Sequence, residues 1–356
     1  MKILMVLHSH DSGGAERHAL QLMEGLRERG HEPVFAGPMD GWLGDQVKAA
    51  GLRHHHIPLH GLIDLPSVWK LASLARREKA DLIHGHLTRG AYYAGLGSKL
   101  AGVANVATAH STNAGKHFSR ADRIIAVADA VQTFLLGRGY AAERVQVVHN
   151  GIPDIAAQPH ASRAATRREL GLGDEPCLLM AARFIHAKGH DTLLQALATL
   201  KARPWTLALA GDNGSELGVR MQALAQELGL AERVRFLGLR EDVPSLLGAA
   251  DLFVAPSRRE ALSLALLEAS AFSLPIVASW VGGTGEVVKE GDNGFLVPPD
   301  DPPTLATAID ALLADPALRR DCGARARRRF EDGFTLDAML GKTLAVYRQA
   351  LEAHSR

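Results

Sequence analysis

Short apolar runs alternate with helix-like segments along almost the whole chain. The first examples are KILMVLHS, a helix-like segment from Ala15 to Arg29, and EPVFAG; later ones are ADLIHGH, NVATAHS, RIIAVA and VQVVHNG. Strands that alternate with helices predict a parallel α/β sheet. Several of these runs end in Gly, Ser, His or Asn, as expected where strand ends open into loops that face a ligand.

The alternation is interrupted once, between Ile152 and Glu175. This stretch contains two prolines and the charged segment SRAATRREL, after which strand-like runs resume at CLLMAARF and continue to GFLVPPD. A chain of 356 residues is long enough for two domains. We therefore predict a first domain over residues 1–165, a second over 166–334, and a C-terminal helix over 335–356.

The composition excludes several classes of protein. A net charge of +1 argues against nucleic-acid binding driven by bulk electrostatics. The two cysteines make no disulfide or metal framework, and no run of about 18 apolar residues predicts a membrane span, so we expect a cytoplasmic protein. Residues 1–165 hold 18 Lys and Arg against 14 Asp and Glu. This small excess is either sampling noise or a basic face that meets an anionic surface or acceptor.

Two carboxylates stand out in the second half of the chain. Glu268 is the only ionisable residue between Ala261 and Trp280, in the apolar segment ALSLALLEASAFSLPIVASW. An unpaired carboxylate in a buried helix would cost several kcal/mol, so we expect Glu268 to have a polar partner in the protein or in a ligand. Glu260 lies eight residues earlier, and helical rise would place the two about 12 Å apart. A nucleotide sugar fits this span, with sugar hydroxyls at one end and ribose hydroxyls at the other.

Glycines follow several of the predicted strands. Gly13 and Gly14 come between the first strand and the first helix, where glycine lets the backbone approach an anion and helix N–H groups face it. Gly211 and Gly238 end two later strands, where loops line the ligand crevice of a doubly wound sheet. Each of these glycines is also compatible with a plain turn.

Cations and histidines occupy other strand ends. Arg183 and Lys188 follow the first strand of the second half and could clamp a diphosphate, although each alone would be interpreted as a surface cation. His110 lies at a predicted strand end. His84 and His86 would share one face of a strand, but two histidines without a third ligand do not predict a zinc site. We interpret the run at 54–56 as solvent-exposed.

Taken in order, these motifs resemble the retaining glycosyltransferases of family 4, which have the GT-B fold. The segments that carry the resemblance are GGAER at 13–17, TAHS at 108–111, VVHNGI at 147–152, ARFIHAKG at 182–189, FLG at 236–238, the pair of glutamates spaced as E-x7-E, GG at 282–283 and GFLVPP at 294–299. The resemblance implies two Rossmann-like domains that face each other across a cleft, with the donor nucleotide mainly on the second domain. It also implies that the C-terminal helix crosses back to the first domain.

The resemblance also implies roles for individual residues. Glu268 matches the residue that binds the ribose hydroxyls, and Glu260 the residue that meets the donor sugar. The backbone N–H groups near Ser263 and Leu264 lie beside that sugar. The remaining matches are the diphosphate-binding pair Arg183 and Lys188, the phosphate loop at Gly13 and Gly14, the donor-lining positions Gly211, Gly238 and Leu239, and His110 near the reaction centre. The catalytic set would therefore be His110, Arg183, Lys188 and Glu260.

The implied activity is that of a retaining hexosyltransferase that moves a sugar from a UDP- or GDP-type donor to a hydroxyl of a glycan or a lipid-linked acceptor. Such a reaction belongs to the synthesis of cell-envelope polysaccharide, lipopolysaccharide or glycolipid. The chain has no D-x-D motif, which agrees with a site that needs no metal and no cofactor. A membrane-borne acceptor would bring the enzyme to the inner face of the membrane as a peripheral protein. Two alternatives stay open: a nucleotide-sugar epimerase of the same overall fold, and a non-catalytic nucleotide-sugar-binding protein.

Overall fold

The computed structural model describes residues 1–61, 64–112 and 116–355. These residues form two compact units. Unit 1 comprises Met1–Pro153 together with Phe334–Arg356, and unit 2 comprises Asp154–Gly333. In the part of the chain that the structure describes, no helix is both long enough and apolar enough to cross a bilayer.

Unit 1 is built on a parallel sheet of seven strands in the order β3-β2-β1-β4-β5-β6-β7. The strands are β1 Lys2–Val6, β2 Glu32–Gly37, β3 Arg53–His56, β4 Leu82–His86, β5 Ala104–Ala109, β6 Arg123–Ala126 and β7 Val145–Val147. The connecting helices are α1 Gly14–Glu28, α2 Trp42–Ala49, α3 Leu65–Glu78, α4 Leu87–Ala101 and α5 Asp129–Gly137. Apolar side chains of α1 and α2 enter one buried cluster, and those of α3 and α4 enter another, because each helix turns its apolar stripe toward the sheet.

Unit 2 repeats this plan with a parallel sheet of six strands in the order β10-β9-β8-β11-β12-β13. The strands are β8 Cys177–Ala181, β9 Thr206–Ala210, β10 Val234–Phe236, β11 Leu252–Ala255, β12 Ile276–Ser279 and β13 Gly294–Val297. The helices are α6 Arg163–Glu169, α7 His190–Ala198, α8 Glu216–Glu227, α9 Val243–Ala249, α10 Leu264–Ala271, α11 Thr284–Val287, α12 Pro302–Ala314 and α13 Pro316–Gly333. The prediction of an α/β fold with two Rossmann-like sheets is therefore confirmed.

The last helix, α14 (Leu336–His354), belongs to unit 1. It begins after Thr335, whose hydroxyl accepts a hydrogen bond from the Ala338 N–H at 3.2 Å. Its buried face includes Leu340 and Tyr347, which join the apolar cluster that α1 contributes to. The chain therefore returns to complete the core of its first unit.

The boundary after unit 1 lies at Pro153, and not at residue 165 as the sequence suggested. Asp154 already belongs to unit 2, because its two oxygens accept hydrogen bonds from Arg327 at 2.7 and 2.5 Å. The polar segment that follows leads into α6, which is capped by Ser162 and held to α9 through hydrogen bonds from Arg163 to Ala249 and Ala250. The proline-rich composition thus marked the start of the second unit and not the end of the first.

Each sheet has a position where the strand order reverses direction. In unit 1 it lies between β1 and β4, and in unit 2 between β8 and β11. Loops that leave the carboxyl ends of adjacent parallel strands at such a position diverge and leave a crevice in which ligands bind.

Candidate active site

Lys188 and Glu260 meet at the carboxyl ends of β8 and β11 in unit 2. Lys188 closes the short 3-10 turn His186–Lys188, and Glu260 lies in the loop between β11 and α10. The Lys188 Nζ forms an ion pair with Glu260 Oε1, and the Ser257 hydroxyl donates to the same oxygen at 3.0 Å. Both charged side chains are mostly buried, with 21% and 14% of their surface exposed. Two residues that are 72 positions apart thus form one preorganised pair.

Two glycines hold the loops of this pair against their neighbours. Gly282 has φ +51°, and a Cβ atom there would lie 1.8 Å from the carbonyl oxygen of Glu260. The N–H of Gly283 donates to the carbonyl oxygen of Ala261 at 2.6 Å. Gly189 has φ +70°, and its Cβ would lie 2.0 Å from the carbonyl oxygen of Pro256. Only glycine allows both the left-handed backbone and such a close approach, so Gly189 and Gly282 set the position of the Glu260 loop.

Arg258 ties the same loops together with its side chain. Its guanidinium donates to both oxygens of Asp191 at 2.9 Å and to Asp300 at 2.5 Å. It also donates to the carbonyl oxygen of His186 at 2.7 Å, so it fixes the turn that carries Lys188. The hydrogen bond to Asp191 is the main cause that raises the pKa of Arg258 above its ordinary value. The sequence showed Arg258 only as part of a charged stretch, and its role depends on partners that are distant in the chain.

The other donor-side candidates lie at the ends of the neighbouring strands. Arg183 follows β8 and is exposed. Gly211 follows β9, and a Cβ atom there would lie 2.2 Å from the carbonyl oxygen of Ala182, next to Arg183. The Gly211 N–H donates to the carbonyl oxygen of Gly238 after β10 at 2.9 Å, and Leu239 is 79% exposed. The residues predicted to line the donor site are thus brought to one edge of the sheet.

Helix α10 begins later than the sequence suggested. Its first residue is Leu264 and its N-cap is Ser263, so Glu260 lies in a loop and the expected continuous helical rise from Glu260 to Glu268 is wrong. Glu268 lies in the second turn of α10 and is half-buried. Within the described residues, no side chain caps the N-terminus of α10. Its first N–H groups and the helix dipole therefore favour an anion at this end.

In unit 1, the loop after β1 ends at the N-terminus of α1. Gly13 is the N-cap residue with an extended backbone, and Gly14 is the exposed first residue of the helix. Gly13 itself offers no capping side chain, and the buried carboxylate of Glu16 lies against it, with Oε2 2.7 Å from the place of a Cβ atom on Gly13. The predicted anion-binding loop at Gly13 and Gly14 stays a prediction.

Four histidines form a cluster inside unit 1, which we call the histidine cluster: His18 on α1, His84 and His86 on β4, and His110 after β5. The Nδ1 of His86 and the Nε2 of His110 lie 3.1 Å apart, and the rings of His84 and His86 are 4.1 Å apart between centroids. The ring of His18 packs edge-on against His110 at 4.9 Å. The predicted shared face of His84 and His86 is confirmed, and the sequence missed His18, which interrupts the apolar stripe of α1.

Burial keeps the histidine cluster uncharged. Desolvation lowers the pKa of His18 to about 4 and that of His84 to about 3. Desolvation, together with the neighbouring imidazoles, lowers the pKa of His86 and of His110 well below 6.5. His84 is fully paired, with Tyr347 and Thr108 at 2.7 Å each, and the ring of His18 hydrogen-bonds Asn150. All four rings are therefore neutral at neutral pH.

Three members of the cluster could also hold a metal ion. Ring nitrogens of His18, His86 and His110 lie within 4.8 Å of one another. The sequence gave only the pair on β4 and so did not predict a metal site. The Nδ1 of His18 and the Nε2 of His86 are buried and have no hydrogen-bond partner among the described residues. The pairing of His86 with His110 accounts for their proximity without an ion.

A shallow cavity of about 350 Å³ lies at the other end of α10 in unit 2. Its lining includes Phe272, Ser273 and Arg327. Arg327 donates to both oxygens of Asp154 in the wall of this cavity. Because Phe272 and Ser273 precede β12, the cavity lies at the amino ends of the strands and not at the carboxyl ends where the candidate residues meet.

Comparisons with known proteins agree with this arrangement. Residues 12–154 match the model described as Glycosyltransferase Family 4, and residues 162–329 match Glycosyl transferases group 1. The lipopolysaccharide core biosynthesis glycosyltransferase LpsE of Rhizobium meliloti is 30% identical over 94% of this chain and 96% of its own length. A D-inositol 3-phosphate glycosyltransferase of Streptomyces avermitilis is 32% identical over 90% of this chain and 70% of its own length.

A solved structure also has the same fold. HepE of Anabaena in complex with UDP-glucose superposes with a TM-score of 0.85 and 26% identity, over 97% of this chain and 99% of that one. The two sheets of the present chain therefore have the GT-B fold, and the resemblance found in the motifs is confirmed. The chain belongs to the family 4, group 1 glycosyltransferases.

Proposed function

We propose that this glycosyltransferase is a retaining, metal-independent hexosyltransferase that uses a nucleoside-diphosphate sugar of UDP or GDP type. The observation that carries the proposal is the Lys188–Glu260 pair in unit 2, where the strand order reverses between β8 and β11, with Arg183 in the segment that follows β8. A diphosphate carries the negative charge that these two cations and the N-terminus of α10 are suited to neutralise. The UDP-glucose bound in the HepE structure supports a donor of this class.

The proposed reaction is a substitution at the anomeric carbon of the donor sugar. The bond from that carbon to the diphosphate oxygen breaks, and its electron pair leaves with the diphosphate. The acceptor oxygen forms a bond to the same face of the sugar, and its proton passes to an oxygen of the leaving phosphate. Arg183 and Lys188 stabilise the charge that develops on the leaving group, which is where such groups contribute most to rate. Glu260 binds hydroxyls of the donor sugar, and Glu268 binds those of the ribose.

The acceptor side of the proposal rests on unit 1. Gly13 and Gly14 at the start of α1 would contact anionic groups of the substrates, and His110 would act at the reaction centre as a neutral imidazole. LpsE, named for lipopolysaccharide core biosynthesis, and the inositol phosphate glycosyltransferase support a glycan or glycolipid acceptor. We propose that the enzyme works in the cytoplasm at the inner face of the membrane in cell-envelope glycan synthesis.

The proposal is tested with donors before an acceptor is sought. A thermal-shift panel of UDP-, GDP- and ADP-sugars identifies the donor. Product formation is then followed by NMR, and the coupling constant of the anomeric proton shows whether the donor's configuration is kept. The same assay is repeated in excess EDTA, in which activity is expected to survive because the chain has no D-x-D motif to hold a divalent cation.

Each alternative gives a different result in this experiment. An inverted anomer would refute the retaining mechanism, and loss of activity in EDTA with rescue by magnesium would refute metal independence. Release of an epimeric free sugar without any acceptor would identify an epimerase. Donor binding without hydrolysis or transfer to any acceptor would leave a non-catalytic nucleotide-sugar-binding protein.

A further inference from the structure

Helix α3 of unit 1 exposes large apolar side chains next to basic ones. Leu65 and Trp69, one turn apart near its N-terminus, are 63% and 61% exposed. The exposed positions continue along the helix at intervals of three and four residues and so form one stripe. The stripe, which we call the α3 stripe, consists of Leu65, Pro66, Trp69, Lys70, Ser73, Arg76 and Arg77.

The α3 stripe is apolar at one end and basic at the other, and it contains no acid. Exposed Lys79 adds a further cation at the C-cap of the helix. A stable fold does not need this composition, because the opposite face of α3 already supplies the core with Leu71 and Leu74. Tryptophan beside lysine and arginine on one face of a helix is typical of helices that lie in a membrane interface.

The acidic residues around α3 are engaged within unit 1. Asp64 caps the helix by accepting from the Ser67 N–H at 3.0 Å. Glu78 is buried and accepts from Arg53 at 2.9 Å, and Asp81 accepts from the Lys2 N–H at 2.7 Å. Asp64 and Asp81 keep their charge, but the exposed cations Lys70, Arg76, Arg77 and Lys79 outnumber them. The charge that α3 presents to its surroundings is therefore net positive, which is complementary to an anionic surface.

The apolar end of the α3 stripe lies at the carboxyl edge of the sheet, where His110 also lies. A helix that connects parallel strands runs back along the sheet, so its N-terminus lies at the carboxyl edge. Two side chains of α4 make contacts at this edge. Arg89 donates to His8 after β1 at 2.7 Å. The Tyr93 hydroxyl donates to the carbonyl oxygen of His60 at 2.9 Å and so holds the loop that precedes α3.

We propose that the α3 stripe docks unit 1 onto an anionic lipid bilayer, with Leu65 and Trp69 in the interface and Lys70, Arg76 and Arg77 at the headgroups. The inference rests on the proposed function in one respect, since it names the surface that would hold a lipid-linked acceptor near His110. It concerns bilayer binding, which is measured without donor, acceptor or turnover.

The experiment is flotation of the full chain with vesicles of phosphatidylcholine alone and of equal parts phosphatidylcholine and phosphatidylglycerol, at low and high salt. The wild type is expected to float with the anionic vesicles and to do so less at high salt, because salt screens exposed charges. The double variant Leu65→Ser/Trp69→Ser should bind at least about tenfold more weakly. The affinity of Lys70→Glu/Arg77→Glu for the anionic vesicles should fall further, since each basic residue near a bilayer raises the affinity roughly fivefold.

Matched controls lie in unit 2. Trp280→Ser removes a tryptophan that is 70% exposed, and Arg320→Glu/Arg328→Glu reverses two exposed cations of α13; both variants should bind like the wild type. The proposal would be overturned if the wild type did not bind anionic vesicles, or if both α3 double variants bound them as strongly as the wild type does. A wild-type dimer that the Trp69 variant converts to a monomer in light scattering would assign the stripe to self-association instead. Thermal shift with nucleotide sugars, repeated on all variants, separates failure of this proposal from failure of the proposed function.

Discussion

Replacement of Gly282 by alanine tests whether activity depends on the position of the Glu260 loop. The new Cβ would lie 1.8 Å from the carbonyl oxygen of Glu260, whereas Cβ atoms essentially never approach another heavy atom within 3.0 Å. The two must therefore move apart by about 1.2 Å, the difference between these distances. A displacement of about 1 Å at a reacting centre can cost on the order of 10²-fold in rate. We expect kcat/KM to fall by about this factor.

Gly291→Ala is the matched control for this change. Gly291 also has a positive φ, +69°, but no heavy atom among the described residues lies within 4 Å of its added Cβ. Both variants force alanine into a left-handed conformation, which costs roughly 1–2 kcal/mol. Both should therefore lower the Tm of unit 2 by a few degrees, at roughly 2–4 °C for each kcal/mol. Only Gly282→Ala should affect catalysis, while Gly291→Ala should stay within about threefold of the wild type.

The assay compares donor turnover and nucleotide binding in the two variants. Retained binding of the bare nucleoside diphosphate by Gly282→Ala would show that the unit is still folded. If Gly282→Ala turned over donor as fast as Gly291→Ala, the position of the Glu260 loop would be irrelevant to catalysis, and the assignment of Glu260 to the donor sugar would fail.

The remaining predictions concern charge in the two units. Arg183→Ala and Lys188→Ala should each reduce turnover by about 10²-fold, and unchanged turnover in both would remove the diphosphate clamp. The melting temperature should stay nearly unchanged in Arg183→Ala, because Arg183 is exposed, and should fall in Lys188→Ala, because that change leaves the mostly buried Glu260 carboxylate without its cation. Glu268→Gln should weaken binding of the nucleoside diphosphate by roughly 1.5–3 kcal/mol, whereas Glu260→Gln should weaken mainly binding of the sugar-bearing donor. Calorimetry with both ligands tests this crossed pattern, and equal losses would contradict it. The histidine cluster should destabilise unit 1 in acid, because the unfolded chain takes up protons below pH 6.5 while His18 stays neutral in the folded chain down to about pH 4. Stability is then complete above pH 6.5 and falls as the pH drops through this window, and thermal melts at a series of pH values measure it.

The sequence predicted most strands and helices because their apolar periodicity was clear. The segment EPVFAG corresponds residue for residue to β2, and the helix predicted over 335–356 differs from α14 by one residue at its start and two at its end. The strand that was not predicted is β3, whose residues RHHH are mostly exposed at the edge of the sheet. An edge strand with little burial carries no apolar alternation, so its pairing with β2 alone defines it.

The sequence also identified the strand ends that carry the candidate site, but it could not supply the contacts between them. Lys188 and Glu260 meet because β8 and β11 are neighbours, and strand order is a property of the folded sheet. The same holds for Arg258, whose partners come from α7 and from the loop after β13. Likewise, the need for Gly282 becomes visible only when the carbonyl group of Glu260 is seen beside it.

Pairing inside the histidine cluster determines which nitrogen of His110 carries the proton. Burial keeps the pKa of His86 and of His110 well below 6.5, so both rings are neutral and one must donate to the other across 3.1 Å. If His110 donated from its Nε2, His86 would have to accept on Nδ1 and would carry its own proton on its Nε2. That nitrogen of His86 is buried and has no hydrogen-bond partner among the described residues. A buried N–H without a partner is rarer and costlier than a buried acceptor without one. His86 therefore donates from Nδ1 and His110 accepts on Nε2, so His110 holds its proton on Nδ1 and its Nε2 cannot act as a base. Nitrogen chemical shifts of His110 in labelled protein measure this directly, and a protonated Nε2 would contradict the argument.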